Sequence, residues 1–459
     1  MAKRLEKMNL GVLLLISGSH YAGWRHPSSE PEKGAKFEHY ADLARIAERG
    51  KMDFLFLADS MAAYEGTAEQ QVRHKNALMH NEPKRLLEPL TLLSALSVIT
   101  SNIGLVSTAT TTYNEPYPIA RMFASLDHIS NGRAGWNVVT SANLAEAHNF
   151  GRDAHVAHAE RYERANEFLD VVMDLWDSID SDALVIDKET GVYFNGDKFH
   201  FIDHVGKHFK IKGPLNVPRP PQGYPVIVQA GSSGPGIDLA ARSAEVVFTA
   251  QQVMSDSVLF YKTLKGRMEA YGREQSTLKV MPGIVPYVGE SEQEARDKFE
   301  ELGTLLHPEF GLYILSDLLG EVDLSAYPLD GPLPEISIES NASKSRQAVM
   351  IEMARRENLT IRQLYQRAAV SGHNVVCGTP AQIADMMEEW FQNGAADGFN
   401  ILPPFLPDGL AQFVDKVIPE LQRRGLFRTE YEATTLRGNL GLAKPANRLQ
   451  ARLAAEAAE

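Results

Sequence analysis

The stretch PVIVQAGSSGPGIDLAARS, residues 225–243, decides the fold. It begins with a short apolar run at 226–230, continues through the small-residue turn GSSGPG at 231–236, and has apolar residues at helical spacing from Ile237 onward. A run of this kind predicts a strand buried on both faces, and the helix after it predicts a crossover to a parallel neighbour. The stretch therefore predicts one strand–turn–helix unit of an α/β protein.

The same unit recurs along the whole chain. Eight runs are predicted as strands, at 10–16, 52–58, 103–108, 134–139, 226–230, 246–249, 279–288 and 398–402. Helical patterns follow at 37–48, 89–100, 117–129, 159–178, 237–243, 255–271, 380–392 and 410–424. Eight such units predict a (β/α)8 TIM barrel, in which reactive groups lie on the loops at the carboxyl ends of the strands.

Three longer segments depart from this regular alternation. We expect residues 1–459 to form a single barrel domain with insertions at about 180–224 and 290–372, the larger one between strands 7 and 8. Insertions of this length usually form lids or substrate chambers. The larger one contains a further helical pattern at 345–369. The polar, Ala-rich segment at about 427–459 is predicted as an arm or a frayed end.

Composition excludes several classes of protein. Lys and Arg total 46 against 59 Asp and Glu, which gives a formal charge of −13 and argues against nucleic acid as a partner. One cysteine, Cys377, permits neither an intramolecular disulfide nor a multi-thiolate metal site, and favours a reducing, cytoplasmic setting. The apolar run at 10–16 is far shorter than the roughly 20 residues that span a bilayer, so we predict a first strand there and no membrane partner.

Polar side chains follow the predicted strands at their carboxyl ends. His20 follows the first strand, Asp59 the second, Thr108 ends the third, and Asn137 lies in the fourth. Because the carboxyl ends of all eight strands meet at one rim of a barrel, these side chains are expected to form a site there.

The turn at 231–236 is the sharpest local signal. Backbone N–H groups at a helix start, with the positive end of the helix dipole, favour phosphate, and Ser232 and Ser233 add hydroxyl donors. The spacing is G-x-x-G-x-G rather than the dinucleotide G-x-G-x-x-G, so a mononucleotide or flavin phosphate fits better than NAD. A plain structural turn is the alternative. His158 and Tyr162, four residues apart, share one face of the next helix upstream and are candidates to reach the same ligand.

No metal or nucleophile is predicted from the sequence. His200, His204 and His208 have helical spacing, but Gly206 and the pair Gly213-Pro214 break a helix there, so these histidines are expected to point in different directions. The chain contains no G-x-S-x-G sequence, and Cys377 is interpreted as a small buried apolar residue.

Several longer motifs then indicate a family. They are SHYAGWRHP (19–27), WNVVTS (136–141), NFG (149–151), DHVGKHF (203–209), and GPLNVPR (213–219) running to QAGSS (229–233). From about residue 8 to about residue 425 the chain resembles the flavin-dependent monooxygenases of the nitrilotriacetate, EDTA and dibenzothiophene-sulfone type, in the bacterial luciferase-like superfamily.

That resemblance implies a cofactor, partners and site residues. It implies reduced FMN (FMNH2) and O2 as co-substrates, a separate NAD(P)H:flavin reductase that supplies the flavin, and a homodimer or homotetramer. The flavin positions of the family fall on Asp59, Thr108, Asn137, His158, Tyr162, Ser232 and Ser233. The absence of a nicotinamide fingerprint agrees with a flavin that is reduced elsewhere.

Catalysis is expected to depend on water exclusion and on one histidine. The 290–372 insertion is a natural lid over a flavin. His20 is the predicted catalytic residue, hydrogen-bonding the activated oxygen or moving its proton, with a purely structural buried histidine as the alternative. His307 and His373 are weaker candidates.

The resemblance also implies that the substrate is a small organic compound, and we expect an organosulfur, organonitrogen or hydrocarbon xenobiotic. Apolar residues in the lid, Phe310, Tyr313, Leu318 and Leu319, slightly favour a hydrophobic heteroaromatic or sulfur compound, whereas Arg25, Lys344 and Arg346 are candidates to meet an anion. Two other classes stay open: a deazaflavin-dependent oxidoreductase that does not use O2, and a non-catalytic flavin-binding protein of the same superfamily.

Overall fold

The computed structural model describes residues 4, 6–63, 68–83, 87–141, 143–320, 322–336, 344–370 and 372–456. The strands are β1 (Asn9–Leu13), β2 (Phe54–Leu57), β3 (Gly104–Thr110), β4 (Ala134–Val139), β5 (His204–Val205), β6 (Lys210–Ile211), β7 (Val226–Gln229), β8 (Val246–Thr249), β9 (Lys279–Val288), β10 (Asn374–Gly378) and β11 (Gly398–Ile401). Eight of them, β1, β2, β3, β4, β7, β8, β9 and β11, pair in parallel in this order, and β11 pairs with β1 to close a barrel. The predicted TIM barrel and its eight strands are confirmed.

One strand of the main sheet was not predicted. β10 pairs in parallel with the second half of β9, from Asn374 opposite Ile284 to Gly378 opposite Val288. β9 has ten residues, and only its first part pairs with its barrel neighbours β8 and β11. Its remaining N–H and C=O groups need partners, and β10 supplies them. The other unpredicted strands, β5 and β6, form a short antiparallel hairpin.

Eighteen α-helices occur in the described part of the chain. They are α1 (Phe37–Arg49), α2 (Ala68–Arg73), α3 (Lys75–Leu78), α4 (Pro89–Ser97), α5 (Pro116–Ile129), α6 (Leu144–Asn149), α7 (His158–Asp177), α8 (Gly234–Ser243), α9 (Met254–Arg267), α10 (Glu292–Thr304), α11 (Pro308–Leu318), α12 (Lys344–Arg356), α13 (Ile361–Ala368), α14 (Pro380–Gln392), α15 (Asp408–Gln412), α16 (Ile418–Arg423), α17 (Leu436–Asn439) and α18 (Arg448–Glu456). A short π-helical stretch, Phe413–Val417, joins α15 to α16.

Capping residues explain two of the differences between the predicted and the observed helices. α8 begins at Gly234 rather than Ile237, since the Ser233 side chain accepts from the N–H of Gly236 and Pro235 occupies the first turn. The helical pattern predicted over 345–369 is two helices, because Thr360 and Gln363 form a capping box that starts α13.

The C-terminal segment packs against the amino-terminal end of the barrel. The side chain of Leu436 fills the space where a Cβ on Gly104 or Gly135 would lie, so it plugs the bottom of the barrel between β3 and β4. Arg428 donates to the buried carboxylate of Asp53, which also accepts from the N–H of Leu10. Because the bottom is closed in this way, access to the barrel interior is from the carboxyl ends of the strands.

The 290–372 insertion packs over that open end. α11 packs against α13 and against α3, which belongs to the long connection after β2. Tyr21 and Ala22, in the loop after β1, pack into the same apolar cluster as Phe310 on α11. The insertion therefore contacts the loops after β1 and β2. Within the described residues, no helix is both long and apolar enough to cross a membrane.

Candidate functional site

A large cleft lies at the carboxyl ends of the strands, beneath the insertion. Its volume is about 2730 Å³. Its wall includes Asp59 after β2, Ser141 and Asn143 after β4, Ser232 after β7 and, from the insertion, Tyr313. Of the predicted site residues, Asp59 and Ser232 thus face this cleft. Segments that follow six strands, β1, β2, β4, β7, β8 and β9, contribute to it, as the barrel rule requires.

Thr108 and Asn137 lie side by side at the top of the barrel. They are directly opposite each other in the β3–β4 register, and the Asn137 Nδ2 donates to the Thr108 Oγ1 over 2.8 Å. Asn137 is only 3% exposed, and its Oδ1 has no hydrogen-bond partner among the described residues. A buried amide oxygen without a partner costs free energy, so this atom is set to accept a bond from a ligand.

Gln229 is a site candidate that the sequence analysis missed. It is the last residue of β7, and it is 4% exposed with an Oε1 that no described residue contacts by a hydrogen bond. Its Nε2 lies 3.2 Å from where a Cβ on Gly231 would be, at the start of the turn. The signal available in the sequence was a lone polar residue at the end of an apolar strand, directly before the small-residue turn.

The turn at 231–236 and the start of α7 form one cradle. The Tyr162 hydroxyl lies 3.3 Å from the Ser233 Oγ. A Cβ atom added to Gly231 would lie 3.4 Å from this hydroxyl, and one added to Gly236 would lie 3.0 Å from it. The rings of His158 and Tyr162 have centroids 4.9 Å apart, so the predicted shared face is observed. A hydroxyl, a capped helix N-terminus and two glycines without Cβ atoms make a concave donor surface suited to a phosphate.

His20 is a neutral, buried imidazole in the loop after β1. Its Nδ1 accepts from the N–H of Ala22 over 3.0 Å, so the proton is on Nε2, which finds no hydrogen-bond partner within the described part of the chain. Burial lowers the pKa of His20 to about 3, and the side chain is 3% exposed. The structure places His20 outside the cleft wall, in contrast to Asp59 and Ser232.

His373, ranked low from the sequence, lies above the barrel interior. Its ring stacks on Phe248 of β8 with centroids 5.2 Å apart. A Cβ atom added to Gly283 would lie only 2.6 Å from the Nδ1 of His373. His373 also lines the cleft. The absence of a side chain on Gly283 is what lets an imidazole approach the barrel axis here.

His307 stacks on His80 at the edge of the insertion. The two ring centroids are 3.4 Å apart with an interplanar angle of 14°, and with Glu309 they place three ligand-type atoms within 4.8 Å of one another. In nearly parallel stacked rings the in-plane nitrogen lone pairs cannot converge on one ion, so this arrangement does not suit a metal centre.

The other histidines and the cysteine have local roles. His200, His204 and His208 face three different carboxylates, as expected of side chains that point apart: His200 faces Asp180 at 3.2 Å, His204 faces Glu167 at 2.9 Å, and His208 faces Glu163 at 3.8 Å. Cys377 is half-buried at the cleft wall, and burial raises the pKa of its thiol to about 11, which keeps the thiol protonated.

The lid residues named from the sequence divide into two groups. Phe310, Tyr313 and Leu318 line the cleft, while Leu319 is buried in the apolar cluster behind it. Arg25 donates to the backbone carbonyl of Leu305 and so joins the β1 loop to the insertion. The side chains of Lys344 and Arg346 lie outside the described residues.

Comparison with known proteins agrees with this architecture. The family model of luciferase-like monooxygenases matches residues 11–397. The chain is 64% identical over 443 residues to nitrilotriacetate monooxygenase component A of Aminobacter aminovorans, covering 96% of this chain and 98% of that protein. It is 50% identical over 450 residues to N-acetyl-S-(2-succino)cysteine monooxygenase of Bacillus subtilis, covering 98% and 99%.

A solved structure of a similar protein contains a flavin. Riboflavin lyase, crystallised with modified FMN and riboflavin, superposes with a TM-score of 0.80 at 30% identity, covering 96% of this chain and 97% of that one. The family model spans most of the chain, and both relatives match it over nearly its full length. The chain therefore belongs to the luciferase-like monooxygenase family and is a flavin-dependent monooxygenase.

Proposed function

We propose that this protein holds FMN in the cradle of Tyr162 and Ser233 and oxygenates a small polycarboxylate substrate with O2. The observation that carries the proposal is this cradle, with the buried amide oxygens of Asn137 and Gln229, which have no partner among the described residues, in the neighbouring strands β4 and β7. When bound, reduced FMN supplies two electrons to O2, so that one oxygen atom enters the substrate and the other leaves as water.

The residues divide into a phosphate group and a ring group. Ser232, Ser233, Tyr162 and His158, together with the backbone N–H groups of the turn, would hold the phosphate through neutral donors and the α8 dipole. Asp59, Thr108 and Asn137 would hold the isoalloxazine end, because Asp59 follows β2 and the other two lie in the second halves of β3 and β4, two residues before each strand ends. The Asn137 amide is fixed by Thr108, which leaves its Oδ1 free to accept a flavin N–H.

His20 is the proposed catalytic residue, on the basis of its buried Nε2, although its side chain does not line the cleft as those of Asp59 and Ser232 do. Its tautomer is fixed by Ala22, so the Nε2–H is available as a donor, and its low pKa keeps it neutral across the working pH range. Its role would be to hold a proton at Nε2 close to the reacting oxygen. If His20→Ala turned over without extra release of hydrogen peroxide, this role would be wrong.

A polycarboxylate is the substrate class that we propose. Nitrilotriacetate and N-acetyl-S-(2-succino)cysteine, named for the two relatives, both carry three carboxylates. The cleft wall contains Arg73, Arg296 and Arg367 among a larger number of carboxylates. Arg296 pairs with Glu292 and Arg367 faces Glu357 at 3.8 Å, whereas Arg73 has no ion-pair partner among the described residues. An arginine without a carboxylate partner in a cleft suits an anionic substrate better than the hydrophobic compound that the lid sequence favoured.

Oxygen uptake with photoreduced FMN tests cofactor, chemistry and substrate together. We expect uptake coupled to product with aminopolycarboxylates and S-succinylated thiols, and not with dibenzothiophene sulfone or a long-chain alkane. Coupled turnover of the sulfone alone would contradict the substrate class. Turnover without oxygen would favour a deazaflavin-type oxidoreductase, and tight FMN binding without oxygen uptake would favour a non-catalytic flavin protein.

We further propose that a separate NAD(P)H:flavin reductase delivers the FMNH2, and that the enzyme acts in the cytoplasm. A generic reductase with NADH should restore activity; activity with NADPH alone, without any reductase, would contradict this delivery.

A homodimer or homotetramer is proposed on the basis of an exposed apolar surface. The 180–224 insertion presents exposed apolar side chains, Leu184, Val185, Ile186, Val192, Tyr193, Phe194, Phe201 and Val205. Apolar patches of this kind usually mark interfaces. We also propose that the whole chain is one barrel domain with its two insertions and C-terminal arm. Light scattering after size exclusion should give two or four times the mass of 50.8 kDa; a monomer would contradict the oligomer.

A further inference from the structure

The short helix α6 contacts the loop after β2 through two polar side chains. Glu146 Oε1 accepts from the N–H of Met61 over 2.8 Å and faces the hydroxyl of Ser60 at 3.1 Å. Asn149 Nδ2 donates to the carbonyl of Met61 over 2.7 Å. Both backbone polar groups of Met61 are therefore bonded to side chains of α6.

The residues after Asn149 extend this contact to the loop after β3. Phe150 stacks on Tyr113 with ring centroids 4.7 Å apart and an interplanar angle of 12°. Gly151 has a φ of +69°, and Arg152 N bonds back to Ala147 O, so the glycine permits the left-handed turn that ends α6. Each residue of the sequence NFG at 149–151 thus has a structural reason, and Asn149, like Glu146, also lines the cleft.

Glu146 is unusual for a residue with a purely structural role. It is 4% exposed, yet it forms no ion pair with any residue that the structure describes, and it lies in the first turn of α6, where the helix dipole favours a negative charge. Buried carboxylates are rare unless they are paired or well hydrogen-bonded. Here the bonds run to Ser60 and Met61, which directly follow Asp59.

We propose that Glu146 and Asn149 are positioning residues that fix the loop carrying Asp59 against the loop after β4, and that they thereby set the affinity for FMN. This inference rests on the proposed role of Asp59 in the flavin site. Without Glu146 and Asn149, the loop after β2 would lose its side-chain bonds to α6, and Asp59 would sample positions away from the flavin.

A double-mutant cycle tests the inference. Glu146→Ala should weaken FMN binding about tenfold, because two hydrogen bonds to a charged group are lost. Asn149→Leu should weaken it about threefold, because the bond from Asn149 to the carbonyl of Met61 is neutral and exposed. Glu146→Gln, which keeps an oxygen acceptor at the same place, should bind FMN within about twofold of the wild type. Thermal unfolding of each variant shows whether the fold is retained, and Asn149→Leu provides the result if Glu146→Ala fails to fold.

The cycle distinguishes positioning from direct contact with the flavin. If Glu146 acts through Asp59, then Glu146→Ala should cost nothing further in an Asp59→Ala background. Two results would overturn the inference and leave the flavin site intact. One is that the losses of FMN affinity in Glu146→Ala and Asp59→Ala are additive. The other is that Glu146→Ala and Asn149→Leu bind FMN as the wild type does while Asp59→Ala does not. Wild-type binding by Asp59→Ala itself would contradict Asp59 in the proposed flavin site, and the positioning role with it.

Discussion

The Ser233 Oγ lies 3.3 Å from the Tyr162 hydroxyl, although the two residues are 71 positions apart in the chain. Tyr162 is in the second turn of α7, and Ser233 is the N-cap of α8. The contact joins the helix after β4 to the helix after β7 at the same rim of the barrel. It creates a donor surface that neither segment has alone.

Removing the Tyr162 hydroxyl should weaken FMN binding without unfolding the protein. We expect Tyr162→Phe to raise the dissociation constant of FMN about three- to tenfold, because one donor to the phosphate is lost. Quenching of flavin fluorescence on binding measures this dissociation constant. Tyr271→Phe, at an exposed tyrosine beyond α9, is the control and should bind FMN normally. Equal affinities for the two variants would remove Tyr162 from the site.

Filling the cradle with one methyl group should have a larger effect. A Cβ on Gly236 would lie 3.0 Å from the Tyr162 hydroxyl and 3.1 Å from the Ser233 Oγ, in the space that we assign to the phosphate. Gly236→Ala should therefore reduce FMN affinity about tenfold or more. Gly266→Ala is a matched control, since Gly266 lies within α9 and a Cβ there meets nothing within 4 Å. Titration with FMN measures the dissociation constant of both variants. Tight binding by Gly236→Ala would place the phosphate elsewhere.

The Thr108–Asn137 hydrogen bond should be measurable in stability. Thr108→Val leaves the buried Nδ2 of Asn137 without its acceptor, and should lower the free energy of unfolding by about 1–3 kcal/mol. Thr112→Val is the matched control, because the buried Thr112 Oγ1 has no partner in the described structure, and its removal should be nearly neutral. Urea unfolding gives the free energy of unfolding of each variant for comparison with the wild type. Equal stability would mean that the bond contributes nothing.

His20 should make stability fall at acidic pH. Its pKa is lowered to about 3 in the folded state, against about 6.5 in the unfolded state, so between these values the unfolded chain binds more protons. His20 therefore lowers stability as pH falls below about 6.5, by up to about 1.4 kcal/mol per pH unit. His20→Asn retains an acceptor for the Ala22 N–H and cannot titrate in this range. The loss of stability between pH 7 and pH 5 should be smaller in His20→Asn than in the wild type; identical losses would contradict a buried neutral imidazole.

Much of the barrel was predictable because its strands are short apolar runs that alternate with helical patterns. β10 was not, since Val375, Val376 and Cys377 form a strand only because β9 extends past its barrel neighbours and offers unpaired backbone groups. The split between α12 and α13 was also missed, although the capping pair Thr360 and Gln363 was present in the sequence. Gln229 was not predicted as a site residue, and His373 was predicted only as a weaker catalytic candidate. Whether either side chain can contribute to a site depends on which residues lie across the barrel from it.

The sequence alone determined the fold class, because a buried parallel strand and its crossover helix require apolar residues at fixed spacing, and that spacing is local. It also placed the small-residue turn at 231–236, because glycine, serine and proline favour turns for local backbone reasons. The tertiary structure alone decided which of these polar groups act together: Tyr162 with Ser233, Thr108 with Asn137, and Glu146 with Met61. Each of these pairs joins segments that are at least 29 residues apart. Such contacts arise from barrel closure, which brings the carboxyl ends of distant strands to one rim.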